Sequence, residues 1–301
     1  MKRLLITGGT VFVSKYAATW FSAHGYDVYV LNRGNHAQPA GTKLICADRH
    51  LPGDTLKDIG FDAVLDITAY RAMDIRDLLD HLGGFQDYIF ISSSAVYPET
   101  LPQPFQEDQQ IGQNTVWGDY GLNKASAEQY LLCRVPDAYV LRPPYLYGPM
   151  QNLYREPFVF DCARAKRPFF IPNDGKMPLQ FFHVEDLCKL IELILNHHPR
   201  HHIMNVGNNA IANVNQFVKL CYDIAGTDLR AVYVREYPNQ RDYFCFYDYG
   251  YVLNVERQNE LLPDQKDLEQ GLRESYTWYV DHGSDVIKKD YMRFIDTHFS
   301  L

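Results

Sequence analysis

The chain has 301 residues, 46% of them hydrophobic, with a formal net charge of −8 and a pI near 5.7. That length buries a large core, as one big α/β unit or one and a half domains. The acidic balance disfavours an extended nucleic-acid or anionic-membrane footprint, and no apolar run reaches the ~18 residues that a membrane helix needs.

In chain order, Met1-Lys2-Arg3 leads straight into an apolar run, so no signal peptide is expected. Arg3–Thr7 reads as a strand, and Lys15–His24 as a helix ended by Gly25. Asp27–Leu31, Lys43–Ala47 and Ala63–Ile67 read as further strands, with a short helix near Asp54–Ile59. Met73–Leu82 reads as a helix closed by Gly83-Gly84 as a C-cap pair. Tyr88–Ser92 is a fifth strand, Tyr120–Arg134 a long helix and Ala138–Leu141 a sixth strand. Strands separated by helices of this length predict βαβ units. Right-handed crossovers then give an α/β fold, a Rossmann-type doubly wound parallel sheet with ligands at the carboxyl ends of its strands.

After Pro149 the pattern changes. Residues 150–180 read as loop-rich, with Pro157, Pro168, Pro172 and Pro178. Gln180–Asn196 reads as a strand turning into a helix, and Ile203–Val206 as another strand of the main sheet. A helix (Asn215–Ala225), a strand (Ala231–Arg235), an aromatic loop and terminal helices follow. The expected division is a dinucleotide-binding domain over 1–150, with 180–208 returning to it. A smaller interleaved substrate lobe takes 151–179 and 209–301. The six cysteines (Cys46, Cys133, Cys162, Cys188, Cys221, Cys245) form no C-x-x-C pair and are expected to be reduced core thiols of a cytoplasmic protein.

Three stretches carry chemistry. Thr7-Gly8-Gly9-Thr10 follows the first strand, where a nucleotide-binding fold places its phosphate loop. Such loops carry spaced glycines, yet Val11 and Ser14 occupy the second and third glycine positions. The fifth strand ends in Ser92-Ser93-Ser94, hydroxyls at the sheet edge where a substrate oxygen can be bound. Tyr120 and Lys124, four apart, share one helix face about 5.4 Å apart. An ammonium beside a phenol lowers the phenol's pKa, and a phenol so tuned acts as general acid or base in hydride chemistry at an alcohol carbon. In a chain with 22 tyrosines the spacing alone is a weak signal.

The combination is more specific. A T-G-G-T loop, Ser-Ser-Ser-x-Val-Tyr, Tyr-x-x-x-Lys and then Arg-Pro-x-x-x-Tyr-Gly-Pro at 142–149 resembles the extended short-chain dehydrogenase/reductase family, and within it the NAD-dependent epimerase/dehydratase group. "FFHVEDLCKLI" (181–191) and "LEQGLRESYTWY" (268–279) resemble that group's later segments. The resemblance implies Ser93, Tyr120 and Lys124 as the catalytic set, with Ser94 adjacent as a second candidate for the serine and as a substrate-binding residue. It implies a cofactor loop lined by Thr7, Gly8, Gly9, Thr10, Phe12 and Val13, and adenine contact by Asp48. Thr68, Ala69 and Tyr70 pass beside the cofactor, Pro143 and Tyr145 lie near the nicotinamide, and Tyr120 and Lys124 also touch the cofactor. A homodimer paired through the Tyr120 helix is implied as well.

The departures from the pattern are informative. A β-branched residue is disfavoured at φ > 0, so Val11 is expected at negative φ with its side chain turned away. Helix N-terminal amides still attract phosphate. Members similar to the chloroplast stem-loop-binding proteins also lack the middle glycine. Asn32 stands where NAD enzymes place an acid for the ribose, and Arg33 beside it suits a 2′-phosphate, so NADP or NAD is expected with NADP preferred. Leu179 replaces an arginine that clamps a diphosphate in nucleotide-sugar epimerases, whereas Arg241 matches the other phosphate-binding arginine. The aromatic run Tyr243–Tyr251 reads as lobe core or a stacking surface. "NHHPRHH" (196–202) reads as a solvated loop rather than a metal site, "QEDQQ" (106–110) as a solvated loop and His183 as structural. The expected function is Tyr-assisted hydride transfer at a hydroxyl or keto carbon of a sugar or nucleotide sugar. An NADPH-dependent carbonyl reductase and an NAD(P)-sensing or RNA-binding module are the alternatives.

Overall fold

The computed structural model describes residues 1–299. Contacts divide the chain into two compact units. The first comprises Met1–Leu146, Phe182–Gly207 and Leu253–Gln265; the second comprises Tyr147–Phe181, Asn208–Val252 and the stretch from Lys266 on.

The first unit is built on a seven-stranded sheet: β1 (Arg3–Thr7), β2 (Asp27–Asn32), β3 (Lys43–Cys46), β4 (Gly60–Asp66), β5 (Gly84–Ile91), β6 (Tyr139–Arg142) and β7 (Ile203–Asn205). Its order is β7-β6-β5-β4-β1-β2-β3, with every pairing parallel. Side chains alternate across the strands. Leu4, Ile6, Val28, Val30 and Leu65 face α1 (Phe12–Ala23) and α4 (Val184–His197). Leu5, Val64, Phe90 and Val140 face α2 (Ala72–Leu79) and α3 (Asp119–Arg134). Covering both faces with helices is what a parallel sheet of such apolar strands requires. The strand order reverses between β1 and β4, so the loops after these two strands diverge and leave a crevice at their carboxyl ends.

Several local expectations are corrected. Asp54–Ile59 is a succession of turns with no helix. Gly83-Gly84 does not cap α2, whose C-cap is Asp80; the Gly83 N–H bonds Leu56 O at 3.2 Å and Gly84 opens β5. Glu107 is buried, its carboxylate accepting Asn205 N at 3.0 Å, so residues 106–110 are not a purely solvated loop. Of the six cysteines, Cys46 and Cys133 are exposed rather than in the core.

In the second unit, residues 150–180 contain a helix, Glu156–Arg164, with Pro157 in its first turn. Proline is tolerated there because that N–H has no intrahelical partner. Strand Phe169–Pro172 pairs in parallel with Ala231–Val234. Phe158, Phe169, Phe181, Phe217, Phe244 and Phe246 form an aromatic core. Tyr243 and Tyr251 of the aromatic run are buried as well, while Tyr247 is exposed. Among the described residues no helix is long and apolar enough to cross a membrane.

Candidate active site

The loop after β1 turns sharply. Gly8 and Gly9 hold φ of +92° and +93°, a region side-chain-bearing residues rarely enter. A Cβ on Gly8 would meet Thr68 Cγ2 at 2.8 Å, and one on Gly9 would meet Val30 Cγ1 at 2.7 Å. Val11 takes φ −133°, as its β-branch demands, with 48% of its surface exposed. The positive φ falls instead on Phe12, at +30°. Val11 offers no capping oxygen to α1. The first helix amides therefore lack a side-chain partner, an arrangement that attracts phosphate.

An open cleft of about 310 Å³ lies against this loop, lined among others by Gly8, Asn32, Arg33, Asp48, Arg49 and Thr68. Asn32 is spent on the loop itself: Nδ2 donates to Gly8 O at 2.6 Å, and Oδ1 accepts from Gly34 N at 2.9 Å. Arg33 is exposed at the rim. Asp48 Oδ1 accepts His50 N at 2.9 Å. Thr7 does not line the cleft. Its hydroxyl is buried, donating to Asp66 Oδ1 at 2.8 Å and accepting from Ile67 N and Thr68 N. Thr10 is half-buried, Phe12 is buried and Val13 packs on the core.

Sequence reasoning missed the residue that holds this cleft together. The Arg49 guanidinium grips Asp66 through two hydrogen bonds of 3.0 and 2.9 Å, and reaches Thr68 Oγ1 and Asp74 O. Asp66 is fully buried and also accepts the Tyr88 hydroxyl at 2.6 Å. Burial pushes its carboxyl up, but Arg49, Tyr88 and Thr7 outweigh that and hold it below the ordinary range. The signal was an aspartate inside the apolar run Ala63–Ile67, since a buried charge demands a partner.

At the neighbouring edge, α3 lies against the end of β5. Gly121 permits the approach, because a Cβ there would stand 2.3 Å from Ala95 O. Tyr120 is thereby brought close enough to Ser93 for that side chain to act on its phenol, while Ser93 Oγ accepts Ala95 N at 3.1 Å. Ser94 is buried, with its N–H on Pro143 O at 2.9 Å. Tyr145 is buried edge-on to Trp117. Below them, Ser92 Oγ donates to Glu128, which pairs with Arg142 at 2.6 Å, both essentially inaccessible. Lys124 and Glu128 thus fasten α3 to Ile91 and Ser92 in turn.

One expectation about this centre is overturned. The Lys124 ammonium donates to two main-chain carbonyls, Ala69 O and Ile91 O, each at 2.8 Å. Burial pulls its pKa down to about 8, against Asp66 and Glu128, which raise it. The Tyr120 phenol is not acidified. Burial raises its pKa and Tyr70 adds to the rise, while only the Ser93 side chain opposes them. Ala69 is buried, and Tyr70 is exposed with its ring 6.0 Å from that of Tyr120.

Arg241 belongs to the second unit, where its guanidinium lies 4.6 Å over the Tyr247 ring and Nη1 donates to Phe244 O. Leu179 is buried. His183 caps α4 by accepting Glu185 N. The histidines of 196–202 take separate partners: His198 meets Asp87, and His202 stacks on Tyr139.

The sheet order, the glycine turn and the crevice at the strand ends define a Rossmann-type α/β protein. Residues 66–207 match the sequence profile of the NAD dependent epimerase/dehydratase family. The chain is similar to the Chloroplast stem-loop binding protein of 41 kDa b of Arabidopsis thaliana, 26% identical over 96% of this chain and 82% of that one. It is similar to the UDP-glucose 4-epimerase of Corynebacterium glutamicum, 27% identical over 76% and 82%. Its fold matches the crystal structure of UDP-glucose 4-epimerase from Thermotoga maritima with a TM-score of 0.76 at 20% identity, over 93% of this chain and 99% of that one.

Proposed function

We propose that this protein is a nicotinamide-dinucleotide-dependent enzyme acting on a hydroxyl or keto carbon of a sugar, with a nucleotide sugar as the substrate class. The observation that carries the reading is the Ser93–Tyr120 pair, at the carboxyl end of β5 in the same parallel sheet whose β1 ends in the Gly8-Gly9 turn. The cleft fits a dinucleotide: Gly8 lines it at a turn where a Cβ would meet Thr68, the helix that follows the turn starts without a side-chain cap and so can attract phosphate, and Arg33 and Asp48 line the cleft. When bound, the nicotinamide supplies the hydride acceptor and donor that no side chain provides. Ser93 hydrogen-bonds the reacting oxygen, and Tyr120 takes or returns its proton. A neutral phenol, raised by burial, is suited to donate a proton to a keto oxygen. As a base it needs the positive charge of Lys124 and of the oxidised cofactor nearby.

Several relatives carry nucleotide-sugar names, among them the two UDP-glucose 4-epimerases, which supports the substrate class. A net reductase using NADPH is the second reading, favoured by the exposed Arg33 at the cleft rim and by Leu179 in place of a phosphate clamp. The relative named for stem-loop binding raises an RNA-binding alternative, against which the net charge of −8 weighs.

The test is a panel of nucleotide sugars incubated with the protein and either cofactor, read by product analysis and by absorbance of reduced nicotinamide. An epimerase leaves the cofactor balance unchanged, whereas a reductase consumes NADPH. Tyr120→Phe abolishes turnover in both cases. Full turnover by that variant refutes the proton role.

A further inference from the structure

Lys124 is 2% exposed. Two of its three N–H groups are spent on Ala69 O and Ile91 O. Two aromatic rings close the remaining side: Phe90, with its centre 4.7 Å from Nζ, and Tyr70 at 5.0 Å. The two rings differ in exposure. Phe90 is wholly inside the core, whereas Tyr70 is 52% exposed. Tyr70 stands on the short loop between β4 and α2, its backbone N–H fixed to Asp74 Oδ2 at 2.7 Å. Its hydroxyl makes no hydrogen bond within the described residues. Rotating the Tyr70 side chain therefore breaks no hydrogen bond and disturbs no core packing. It forfeits the cation–π contact with the ammonium and lets water or a ligand reach the third N–H.

We propose that Tyr70 is a positioning residue that acts as a lid on Lys124, covering the ammonium in the free protein and yielding to a ligand hydroxyl when the cleft fills. The proposal rests on the reading of Lys124 as part of the active centre. The ring, not the phenol oxygen, does the covering. The same ring lies 6.0 Å from that of Tyr120, so its displacement also opens space in front of the acid/base hydroxyl. Lys124 is dry while no ligand is present, and its third donor becomes available when one enters.

Acylation of lysines by acetic anhydride at mildly alkaline pH, followed by peptide mass spectrometry, tests this without any substrate. The exposed lysines Lys57 and Lys176 serve as internal standards. In the free wild-type protein Lys124 reacts slowly against these standards. In Tyr70→Ala it reacts about tenfold faster, the size expected when a desolvated cation–π contact is removed. Tyr70→Phe behaves as wild type. Equal Lys124 rates in wild type and Tyr70→Ala overturn the lid, as does a fast rate in Tyr70→Phe. Circular dichroism and unchanged rates at the standard lysines establish that the variants are folded. Adding NAD or NADP to Tyr70→Ala then separates the two ideas. Protection of Lys124 supports both, whereas a fast rate without protection leaves the lid standing and counts against a dinucleotide at this site.

Discussion

Lys124→Met isolates the cost of burying an ammonium beneath the active-site loop. Lys124 is 2% exposed, and burial lowers its pKa from 10.5 to about 8. Between those two values the unfolded chain holds a proton that the folded protein has lost, so stability rises with pH through that window. Below pH 8 both states are protonated and the full penalty of the depressed value is present. Above 10.5 neither is, and the penalty is gone. With these two values, linkage gives a gain of ~2 kcal/mol in wild-type stability between pH 7 and about pH 9.5. Lys124→Met has no such group, so groups that titrate in both proteins cancel in the difference. Urea unfolding of both proteins across this range measures it. The wild-type-minus-variant stability is predicted to climb by ~2 kcal/mol. A difference that is flat with pH, or one that falls, refutes a dry, depressed Lys124.

Gly9→Ala forces a side chain into φ +93° and against Val30; a loss of ~1–3 kcal/mol is expected from thermal or urea unfolding, and unchanged stability contradicts the tight turn. Asp66→Asn leaves the Arg49 guanidinium buried without its carboxylate. Breaking such a pair costs ~3–5 kcal/mol, and the lower end applies because Arg49 keeps Thr68 and Asp74 O as acceptors. The Arg49→Met/Asp66→Asn double variant should recover part of that loss in urea melts, and simple additivity of the two single effects speaks against a coupled pair. Arg33→Ala is expected to weaken NADP binding about tenfold by calorimetry, as loss of a charge-assisted contact implies, while NAD binding stays as it was. Equal affinity of wild type for the two cofactors removes the NADP preference.

The parts of this molecule that sequence revealed are those governed by local spacing. The period-2 strands, the T-G-G-T turn and the four-residue step from Tyr120 to Lys124 each declare themselves within one element. The negative φ of Val11 was legible for the same reason, since a β-branch dictates its own backbone. What remained hidden needs two distant segments at once. Arg49 and Asp66 are 17 positions apart, in the turn after β3 and at the end of β4, and Glu128 and Arg142 are 14 apart on a helix and a strand. Lys124 misled in the same way: helical spacing puts it beside Tyr120, but the carbonyls of Ala69 and Ile91, supplied by two other segments, claim the ammonium. Pro157 hid a helix because proline signals a break everywhere except in a first turn. Gly83-Gly84 imitated a helix cap while serving a contact with Leu56.

The most direct test of the account is a crystal structure of the protein saturated with NADP or NAD. The pyrophosphate is predicted over the Gly8-Gly9 turn and the start of α1, with the nicotinamide beside the Tyr120 and Ser93 hydroxyls. Density for the dinucleotide elsewhere, or none at saturating concentration, would contradict the central claim.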